Sequence, residues 1–387
     1  MSHTGSEATA PRKKRGKLIA GIILAIVLLL GIGGCAYIAS IGAAWNNGTE
    51  KFSGSEFPSD DGNAAKVDEF TKKVQADKDA LSKDATVTND AGKNNATEND
   101  KNGNGIADSV ENGKVTARPA ETGATDILLL GSDSRAGSAE AATVSGQRAD
   151  TIMLLHVPKD GSDAYLISIM RDTWVNIPGY GSAKINAGLN YGGLDLQVAT
   201  IEQLLGTRID HIAEIDFAGF KGLTDELGGV TVQVPLNFQT DDYTFTQGPM
   251  HLNGDQALQF VRQRYQFSDG DYQRVRNQRI YMNGLLDTIK SKGAFENATQ
   301  FKSMVETISP YVTVDSGLSA GEIAKIAAPY IGSGGVNLHM MTLPNAGTGW
   351  SADGQSIVVL DQAATSDLSQ SLTNGTMSDY ISRYGED

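Results

Sequence analysis

The feature that most constrains this chain is an apolar run near its N-terminus, residues 18–41, which reads LIAGIILAIVLLLGIGGCAYIASI and contains no charged residue. A helix of this length would be about 36 Å long, enough to cross a hydrocarbon core of about 30 Å with some tilt. Five basic residues lie between positions 12 and 17, and no comparable cluster follows the run. Because basic residues favour the cytoplasmic side, we expect a cytoplasmic tail at residues 1–17, a single transmembrane helix at residues 18–41 and an extracytoplasmic remainder at the cell membrane.

A cleaved signal sequence is the alternative interpretation of this run. The residues at Ile32–Cys35 resemble a lipoprotein cleavage site, after which Cys35 would carry a lipid. Signal sequences have a shorter apolar core, whereas apolar residues here continue past Cys35 to Ile41. The length of the run therefore favours a retained anchor.

The composition excludes several classes of function. The formal net charge of −14 over 387 residues argues against a nucleic-acid partner, which would require a basic footprint. Cys35 is the sole cysteine, so neither an internal disulfide nor a cysteine-based zinc site can form. With only five histidines, histidine-driven catalysis is not the first expectation.

Residues 42–124 are rich in polar residues and contain few large apolar ones, which predicts a solvated extracytoplasmic stalk. Within it, residues 100–111 read DKNGNGIADSVE, with oxygen ligands at the spacing of a calcium loop and Gly105 at the sixth position. The candidate calcium ligands are Asp100, Asn102, Asn104, Ile106, Asp108 and Glu111. The loop also resembles the calcium-binding repeats of thrombospondin type 3. Ala107 departs from the usual apolar residue and no strong flanking helices are evident, so a chance match in a polar linker stays open.

From residue 125 onward the sequence predicts a folded domain that reaches residue 387. Short runs rich in branched apolar residues predict buried strands, and apolar periodicity predicts helices between them. The predicted strands are 126–133, 150–157, 164–169, 230–234, 336–343 and 356–360, and the predicted helices are 194–206, 217–228, 253–264 and 271–289. Because strands and helices alternate, we expect one sheet layered with helices.

Residues 260–279, FVRQRYQFSDGDYQRVRNQR, contain five arginines and no lysine. Guanidinium groups favour planar, bidentate recognition of carboxylate or phosphate. On the predicted helix Asp271, Arg274 and Gln278 share one face, while Arg262 and Arg264 come from the end of the preceding helix. The alternative is a surface helix rich in ion pairs.

Acids and arginines also flank the first three predicted strands. They are Asp133 and Arg135 after the first strand, Arg148 and Asp150 at the start of the second, and Arg171 and Asp172 after the third. Ligand sites tend to form at strand ends in such sheets, and carboxylate oxygens suit Mg²⁺ that completes its shell with phosphate and water. Together with the arginine block, this pattern predicts a site that holds a diphosphate with arginines and a metal ion.

Several of these segments resemble the LytR-CpsA-Psr family of wall-polymer ligases. The similar segments are ILLLGSDSR, RADTIMLLHV, LISIMRDTWVNIPGYGSAKINAGLNYGG, DFAGFKGLTDELGGVTVQV, LNGDQALQFVRQRYQFSDGDYQRVRNQ and TLPNAGTGWSADGQSIVVLD. They cover most of residues 125–375 in the family's order. The resemblance implies a three-layer α/β/α catalytic domain with a central mixed sheet, tethered by one N-terminal transmembrane helix.

The resemblance also implies an activity and its partners. Members of the family transfer an anionic glycopolymer from a polyprenyl diphosphate carrier to peptidoglycan and form a phosphodiester. Asp133 and Asp150 match the family's ligands for Mg²⁺ (or Mn²⁺), and an apolar pocket between sheet and helices is expected to hold the carrier's lipid. The residues that match diphosphate-contacting positions are Arg135, Arg148, Arg171, Arg262, Arg264, Arg274 and Gln278.

Two details of the catalytic site extend beyond these matches. Many members have arginine beside the glutamine, where this chain has Asn277, so either Arg276 or Arg279 substitutes or one phosphate contact is missing. We take Asp271 as the candidate general base for the acceptor hydroxyl and Arg274 as its catalytic partner.

Two other functions fit the same sequence. Water in place of the sugar hydroxyl would make the protein a polyprenyl-diphosphate hydrolase, which needs the same donor site. A protein without catalysis that binds the wall in a calcium-dependent manner would use the arginines only to hold anionic polymer, and it would not need Asp133.

Overall fold

The computed structural model describes residues 45–46, 48–52, 56–58, 118–132, 149–160, 162–264, 266–267, 270–292, 303, 306–327 and 338–386. The predicted membrane span at residues 18–41 and the candidate calcium loop at residues 100–111 lie outside these ranges. Across the ranges given, no helix combines the length and apolar character that a membrane crossing requires.

Strands and helices alternate along the folded part of the chain. The strands are β1 (Glu50–Lys51), β2 (Thr125–Ser132), β3 (Ala149–Val157), β4 (Ala164–Ile169), β5 (Trp174–Ile177), β6 (Gly181–Lys184), β7 (His211–Asp216), β8 (Val230–Val234), β9 (Phe238–Gln239), β10 (Thr244–Phe245), β11 (Gly248–Leu252), β12 (Thr313–Val314), β13 (Leu338–Thr342), β14 (Asn345–Trp350) and β15 (Ser356–Leu360). The helices are α1 (Ala187–Leu205), α2 (Phe217–Glu226), α3 (Gly254–Arg262), α4 (Asp271–Ser291), α5 (Ala320–Ala327), α6 (Gln362–Asn374) and α7 (Met377–Tyr384).

A seven-stranded sheet lies at the centre, in the order β1-β12-β7-β2-β3-β4-β13. The β7–β2 and β4–β13 pairs are parallel, whereas β2–β3 and β3–β4 are antiparallel, so the sheet is mixed. The ends of β2, β4, β7 and β13 and the start of β3 consequently meet at one edge. Polar residues that follow or precede these strands are thereby brought to that edge.

Helices cover both faces of the sheet. Side chains alternate along β2, so Ile127 joins one apolar cluster and Leu128 joins the other. The first cluster is completed by α2, α3 and α4 through Leu223, Phe260 and Leu285. The second is completed by α1, α6 and α7. Because β2, β3 and β4 are buried on both faces, they are apolar almost throughout. The predicted mixed α/β fold with a central mixed sheet is confirmed.

The helix that carries Arg262 begins as its sequence predicts. The side chain of Asn253 accepts a hydrogen bond from the amide of Gln256 at 2.9 Å, and the side chain of Gln256 accepts one from the amide of Asn253 at 3.1 Å. This capping box satisfies two amides at the start of α3. The helix ends at Arg262 because Gln263 adopts an extended conformation.

Part of the segment predicted to be a stalk packs against the domain. Trp45 is buried, and its indole nitrogen donates a hydrogen bond to the carbonyl of Leu318 at 2.9 Å. The strand β1 pairs with β12 at the edge of the sheet. Arg118 is also buried and forms an ion pair with Glu202 at 2.6 Å. The folded region therefore includes residues on the N-terminal side of position 125.

Candidate functional site

A cavity of about 620 Å³ lies between the sheet and helices α2, α3 and α4, and it opens at the polar edge of the sheet. Most of its wall is apolar, formed by side chains that include Leu129, Met153, Leu155, Leu166, Ala213, Phe220, Leu223, Met282 and Leu285. Its polar end is lined by Asp150, Arg171, Arg262, Arg264, Arg274 and Gln278. An apolar chamber with cationic groups at one end is suited to a lipid that carries an anionic head group.

The cationic end is assembled from separate elements. Arg171 follows β4, Arg262 ends α3, and Arg264 lies just beyond it. Arg274 and Gln278 come from the first turns of α4. The sequence placed these five side chains at a diphosphate site, and the structure brings all of them to one cavity wall.

Arg274 is the most deeply buried cation at the site, with 3% of its surface exposed. It forms an ion pair with Asp271 through its Nη2 atom, while its Nε atom donates no hydrogen bond within the described part of the chain. Burial lowers the pKa of Arg274, although a guanidinium stays charged in proteins. Since a buried donor without a partner is unfavourable, the Nε atom is available to an anionic ligand.

Asp150 lies at the start of β3 and accepts a hydrogen bond from Arg171 Nη1 at 2.5 Å. Burial alone would lower the pKa of Arg171, but the charges of Asp150 and Asp172 outweigh it and the pKa is raised. Asp150 is thus a carboxylate at the mouth of the cavity, among guanidinium groups. Its hard oxygens fit a Mg²⁺ ion that would draw its other ligands from phosphate and water. Within the described ranges, no group of three or more His, Cys, Asp or Glu residues could hold a metal ion.

Asp271 begins α4 beside the arginines. Burial raises the pKa of its carboxyl group, even though the charge of Arg274 opposes this. Its Oδ1 atom is ion-paired with Arg274 Nη2, whereas its Oδ2 atom accepts no hydrogen bond from any described residue. A carboxylate with a raised pKa and one oxygen without a hydrogen-bond donor is a suitable proton acceptor.

Neither Asn277 nor the two arginines considered as substitutes for an arginine at that position line the cavity. Asn277 is fully buried and donates to the carbonyl of Phe260 at 3.1 Å. Arg276 is exposed and donates to Gln273, while Arg279 donates to Thr342 at 2.6 Å. None of the three lines the cavity, so the site lacks that contact among its described residues.

Three residues predicted for the diphosphate and Mg²⁺ site belong to the segment between β2 and β3. Asp133, Arg135 and Arg148 lie outside the described residues, between the end of β2 and the start of β3. The described residues next to them in the chain, Ser132 at the end of β2 and Ala149 at the start of β3, lie at the polar edge of the sheet.

Asp172 has a central role that the sequence did not assign to it. Its carboxylate lies 3.8 Å from Arg171 Nε, 4.0 Å from Arg264 Nη1 and 3.2 Å from Lys184 Nζ. Its negative charge therefore lies close to guanidinium groups from two segments beside the cavity. The sequence shows that Asp172 directly follows Arg171. It does not show that Lys184 and Arg264, which are more distant in the chain, also lie close to Asp172.

Acidic residues at the end of β7 also line the cavity and were missed. Glu214 accepts a hydrogen bond from the hydroxyl of Ser132, and Asp216 caps α2 by accepting from the amide of Gly219 at 2.6 Å. The parallel pairing of β7 with β2 places these residues at the polar edge. Only the strand order, which the sequence does not reveal, indicates this.

Comparison with known proteins decides the family. The profile of the LytR_cpsA_psr family matches residues 78–374. The chain belongs to the LytR-CpsA-Psr family. The resemblance drawn from the sequence motifs is thereby confirmed, and the match extends to the N-terminal side of residue 125.

Similar proteins of this family are known from several bacteria. The cell wall biosynthesis protein LcpA of Corynebacterium glutamicum is 31% identical over 287 residues, which cover 62% of this chain and 54% of that protein. The chain thus spans about half the length of this relative. A protein of Enterococcus faecalis named polyisoprenyl-teichoic acid–peptidoglycan teichoic acid transferase TagU is 33% identical over 250 residues, covering 64% of this chain and 78% of that protein.

Solved structures of the family share the fold. The crystal structure of TagV from B. subtilis has a TM-score of 0.54 and 25% identity, and the match covers 67% of this chain and 99% of TagV. A structure of TagT bound to LI-WTA has a TM-score of 0.50 and 25% identity, covering 70% of this chain and 98% of TagT. The central mixed sheet is therefore the architecture of LytR-CpsA-Psr proteins.

Proposed function

We propose that this protein is a phosphotransferase that moves a glycopolymer from a polyprenyl diphosphate carrier to peptidoglycan. The observation that carries the proposal is the convergence of the guanidinium groups of Arg171, Arg264 and the buried Arg274 at the polar end of an apolar cavity. The names of the similar proteins agree with it, since the E. faecalis relative is named a teichoic acid transferase that acts on peptidoglycan.

The cavity accounts for recognition of the donor. Its apolar wall takes the polyprenyl chain, because burying such a chain removes apolar surface from water. Arg171, Arg264 and Arg274 then bind the diphosphate through charge-assisted hydrogen bonds, and Gln278 borders the same space. Arg262 stacks on the ring of Phe217 with its guanidinium carbon 4.2 Å from the ring centre, which fixes its orientation at the cavity wall.

The transfer step is a substitution at phosphorus. The acceptor hydroxyl loses its proton to Asp271 while its oxygen forms a bond to the phosphorus next to the glycan. The bond from that phosphorus to the bridging oxygen breaks, and polyprenyl phosphate leaves. Negative charge on the transferring phosphoryl group is stabilised by fixed guanidinium groups, and positioning and electrostatics supply most of the catalysis in such reactions.

A divalent ion completes the proposed site. Asp150, together with Asp133, would hold Mg²⁺ or Mn²⁺. The ion would neutralise charge on the diphosphate oxygens. The carboxylate of Asp150 at the cavity mouth fits this role.

We propose the same placement in the cell that the sequence predicts. Residues 18–41 anchor the protein in the membrane, and the domain lies outside, where the carrier lipid and peptidoglycan meet. The candidate calcium loop at residues 100–111 is an accessory site in this proposal, and catalysis does not require it.

The test is an assay of the purified full-length protein in detergent with a polyprenyl-diphosphate oligosaccharide, MgCl₂ and peptidoglycan fragments. Mass spectrometry is expected to detect a phosphodiester between the oligosaccharide and the fragment, and EDTA is expected to suppress it. Tight binding of the donor without any covalent product would refute the proposal and support a protein that only binds the wall. Product formation unaffected by EDTA would refute the proposed role of the metal.

A further inference from the structure

The hairpin of β14 and β15 carries an aromatic side chain that the fold does not use. Trp350 is 76% exposed, more than any other large apolar side chain in the described ranges. Burial of a large side chain ordinarily stabilises a fold by about 1.5–3 kcal/mol. Folding gains little of that from Trp350, so the side chain is available for a ligand.

Hydrogen bonds of the hairpin hold the backbone at Trp350 in place. Trp350 pairs with Ser356 at the last rung of the ladder. The turn that follows is closed by hydrogen bonds from the amide of Ser351 to Gln355 and from the amide of Gly354 to Ser351, both 2.9 Å long. Gln355 also donates to Asp353 at 2.6 Å. A ligand that stacks on the indole would therefore not have to order the loop that presents it.

The base of this hairpin is joined to the diphosphate site. The amide of Val358 donates to the carbonyl of Asp172 at 2.9 Å, and the carboxylate of Asp172 lies 3.8 Å from Arg171 Nε and 4.0 Å from Arg264 Nη1. The hydroxyl of Tyr272, next to the proposed base, donates to Asn345 at 2.6 Å. The hairpin is thus fastened to both the chain after β4 and the start of α4.

Trp350 lies on the same face of the hairpin as Val358, the face that packs against α4. The side chain of Val358 packs with Met170, Val275 and Tyr272. Ser356 is two residues from Val358, so Trp350, its partner across the ladder, points to the same side. At a rise of about 3.4 Å per residue, the Trp350 rung is about 7 Å along the strand from the Val358 rung. The indole therefore lies beyond the contacts that fasten the hairpin to α4.

The chemistry of the hairpin selects an uncharged partner. Residues 345–360 contain no lysine or arginine, and the turn carries Asp353. An anionic glycopolymer or an anionic lipid surface would be repelled rather than attracted. An exposed aromatic ring beside hydroxyl and amide side chains instead suits the apolar face of a pyranose ring, while the polar groups bind its hydroxyls.

We infer that the β14–β15 hairpin, through Trp350, binds the glycan strand of the acceptor and presents its hydroxyl to the transferring phosphoryl group. The inference rests on the proposed function and adds to it a separate acceptor subsite. The donor occupies the cationic cavity, and Trp350 is not among the residues that line it.

Direct titration tests this subsite without turnover. Full-length protein is titrated calorimetrically with a β-1,4-linked N-acetylglucosamine tetrasaccharide, whose pyranose rings match those of the acceptor glycan and carry no charge. In Trp350→Ala the Kd is expected to rise about tenfold, equivalent to about 1.4 kcal/mol, while Trp350→Phe retains most of the affinity. The matched control is Tyr384→Ala, which removes another exposed aromatic side chain, on α7. It is expected to leave the Kd unchanged.

Kinetics then separate the subsite from the proposed function. In the transfer assay Trp350→Ala is expected to raise the acceptor KM by a similar factor, with the directly measured Kd for the donor lipid unchanged. An unaltered tetrasaccharide Kd in Trp350→Ala overturns the inference, as does a variant whose only defect is loss of a dimer or of binding to anionic vesicles. If the wild-type protein forms no phosphodiester, the proposed function fails, but the tetrasaccharide titration still decides whether the hairpin binds glycan.

Discussion

Arg274 and Arg276 lie two residues apart on α4 in opposite environments. Arg274 is 3% exposed and lines the cavity, whereas Arg276 is exposed and donates to Gln273 on its own helix. A lysine keeps one positive charge but loses the planar fork that matches phosphate. Comparing lysine substitutions at these two positions therefore distinguishes a cationic ligand site from a surface helix rich in ion pairs.

Arg274→Lys is expected to slow transfer about tenfold to a hundredfold, since a charge-assisted hydrogen bond contributes about 1.5–3 kcal/mol. Arg276→Lys is expected to retain the wild-type rate and to change the free energy of unfolding by less than about 1 kcal/mol. Steady-state rates at saturating donor, with thermal unfolding as the folding check, measure both. Near-native rates in both variants would show that the cavity is not the reactive site.

Asp271 gives the reaction a predicted pH dependence. As the base, it must be deprotonated, so the rate rises with pH through its pKa and falls on acidification. Because burial raises that pKa, the decrease in rate on acidification, the acidic limb of the pH–rate profile, is expected at a higher pH than that at which an ordinary aspartate titrates. Asp271→Asn is expected to lower kcat and to abolish the limb. A variant with reduced kcat and an unchanged limb would assign the titration to another group.

At the scale of elements, the position of α4 depends on one glycine. A Cβ atom at Gly284 would lie 2.3 Å from the carbonyl oxygen of Thr231 in β8, which is closer than any real contact. The helix can therefore approach β8 only because residue 284 has no side chain. Arg274 and Gln278 depend on that approach, since they reach the cavity from the same helix.

Gly284→Ala is expected to destabilise the fold by about 1–3 kcal/mol, as overpacking does, and to reduce transfer by displacing α4. The control is Gly321→Ala in α5, where the nearest atom to a new Cβ is Ser319 Oγ at 3.7 Å. That variant is expected to be neutral or slightly more stable, because alanine favours a helix by up to about 1 kcal/mol. Denaturant unfolding compares the two, and equal stabilities would contradict the close packing of α4 on β8.

The sequence predicted those features that have a local period. The shared face of Arg274 and Gln278 follows from the helical repeat, and the strands β2, β3 and β4 follow from their apolar runs. The role of Asp172 could not be predicted, because Lys184 and Arg264 reach it only through tertiary structure. The strand order that brings Glu214 to the cavity carries no local signal either.

The whole molecule shows the same division between local and distant signals. The two-residue strand β1 pairs with β12. The buried Trp45 donates a hydrogen bond to Leu318, which is 273 residues further along the chain. A strand of two residues has no periodicity, so the polar composition around it predicted a stalk instead. The N-terminal boundary of the folded region depends on the pairing of β1 with β12, which only the complete fold reveals.

Trp45→Ala is expected to destabilise the protein by about 3–5 kcal/mol, the usual loss for a buried tryptophan. Trp350→Ala, which removes an exposed tryptophan, is expected to change stability by less than about 0.5 kcal/mol. Thermal unfolding of the two variants measures the difference. Equal unfolding temperatures would show that the segment around Trp45 is not part of the cooperative fold.

The central claim is that a sugar hydroxyl, and not water, receives the phosphoryl group. The most direct measurement runs the reaction in water enriched in ¹⁸O and follows the phosphorus next to the glycan by ³¹P spectroscopy and mass spectrometry. A transferase leaves that phosphorus in a phosphodiester with the acceptor and incorporates no ¹⁸O. Release of a glycan phosphate monoester that carries one ¹⁸O, without a phosphodiester, would contradict the account and identify a hydrolase.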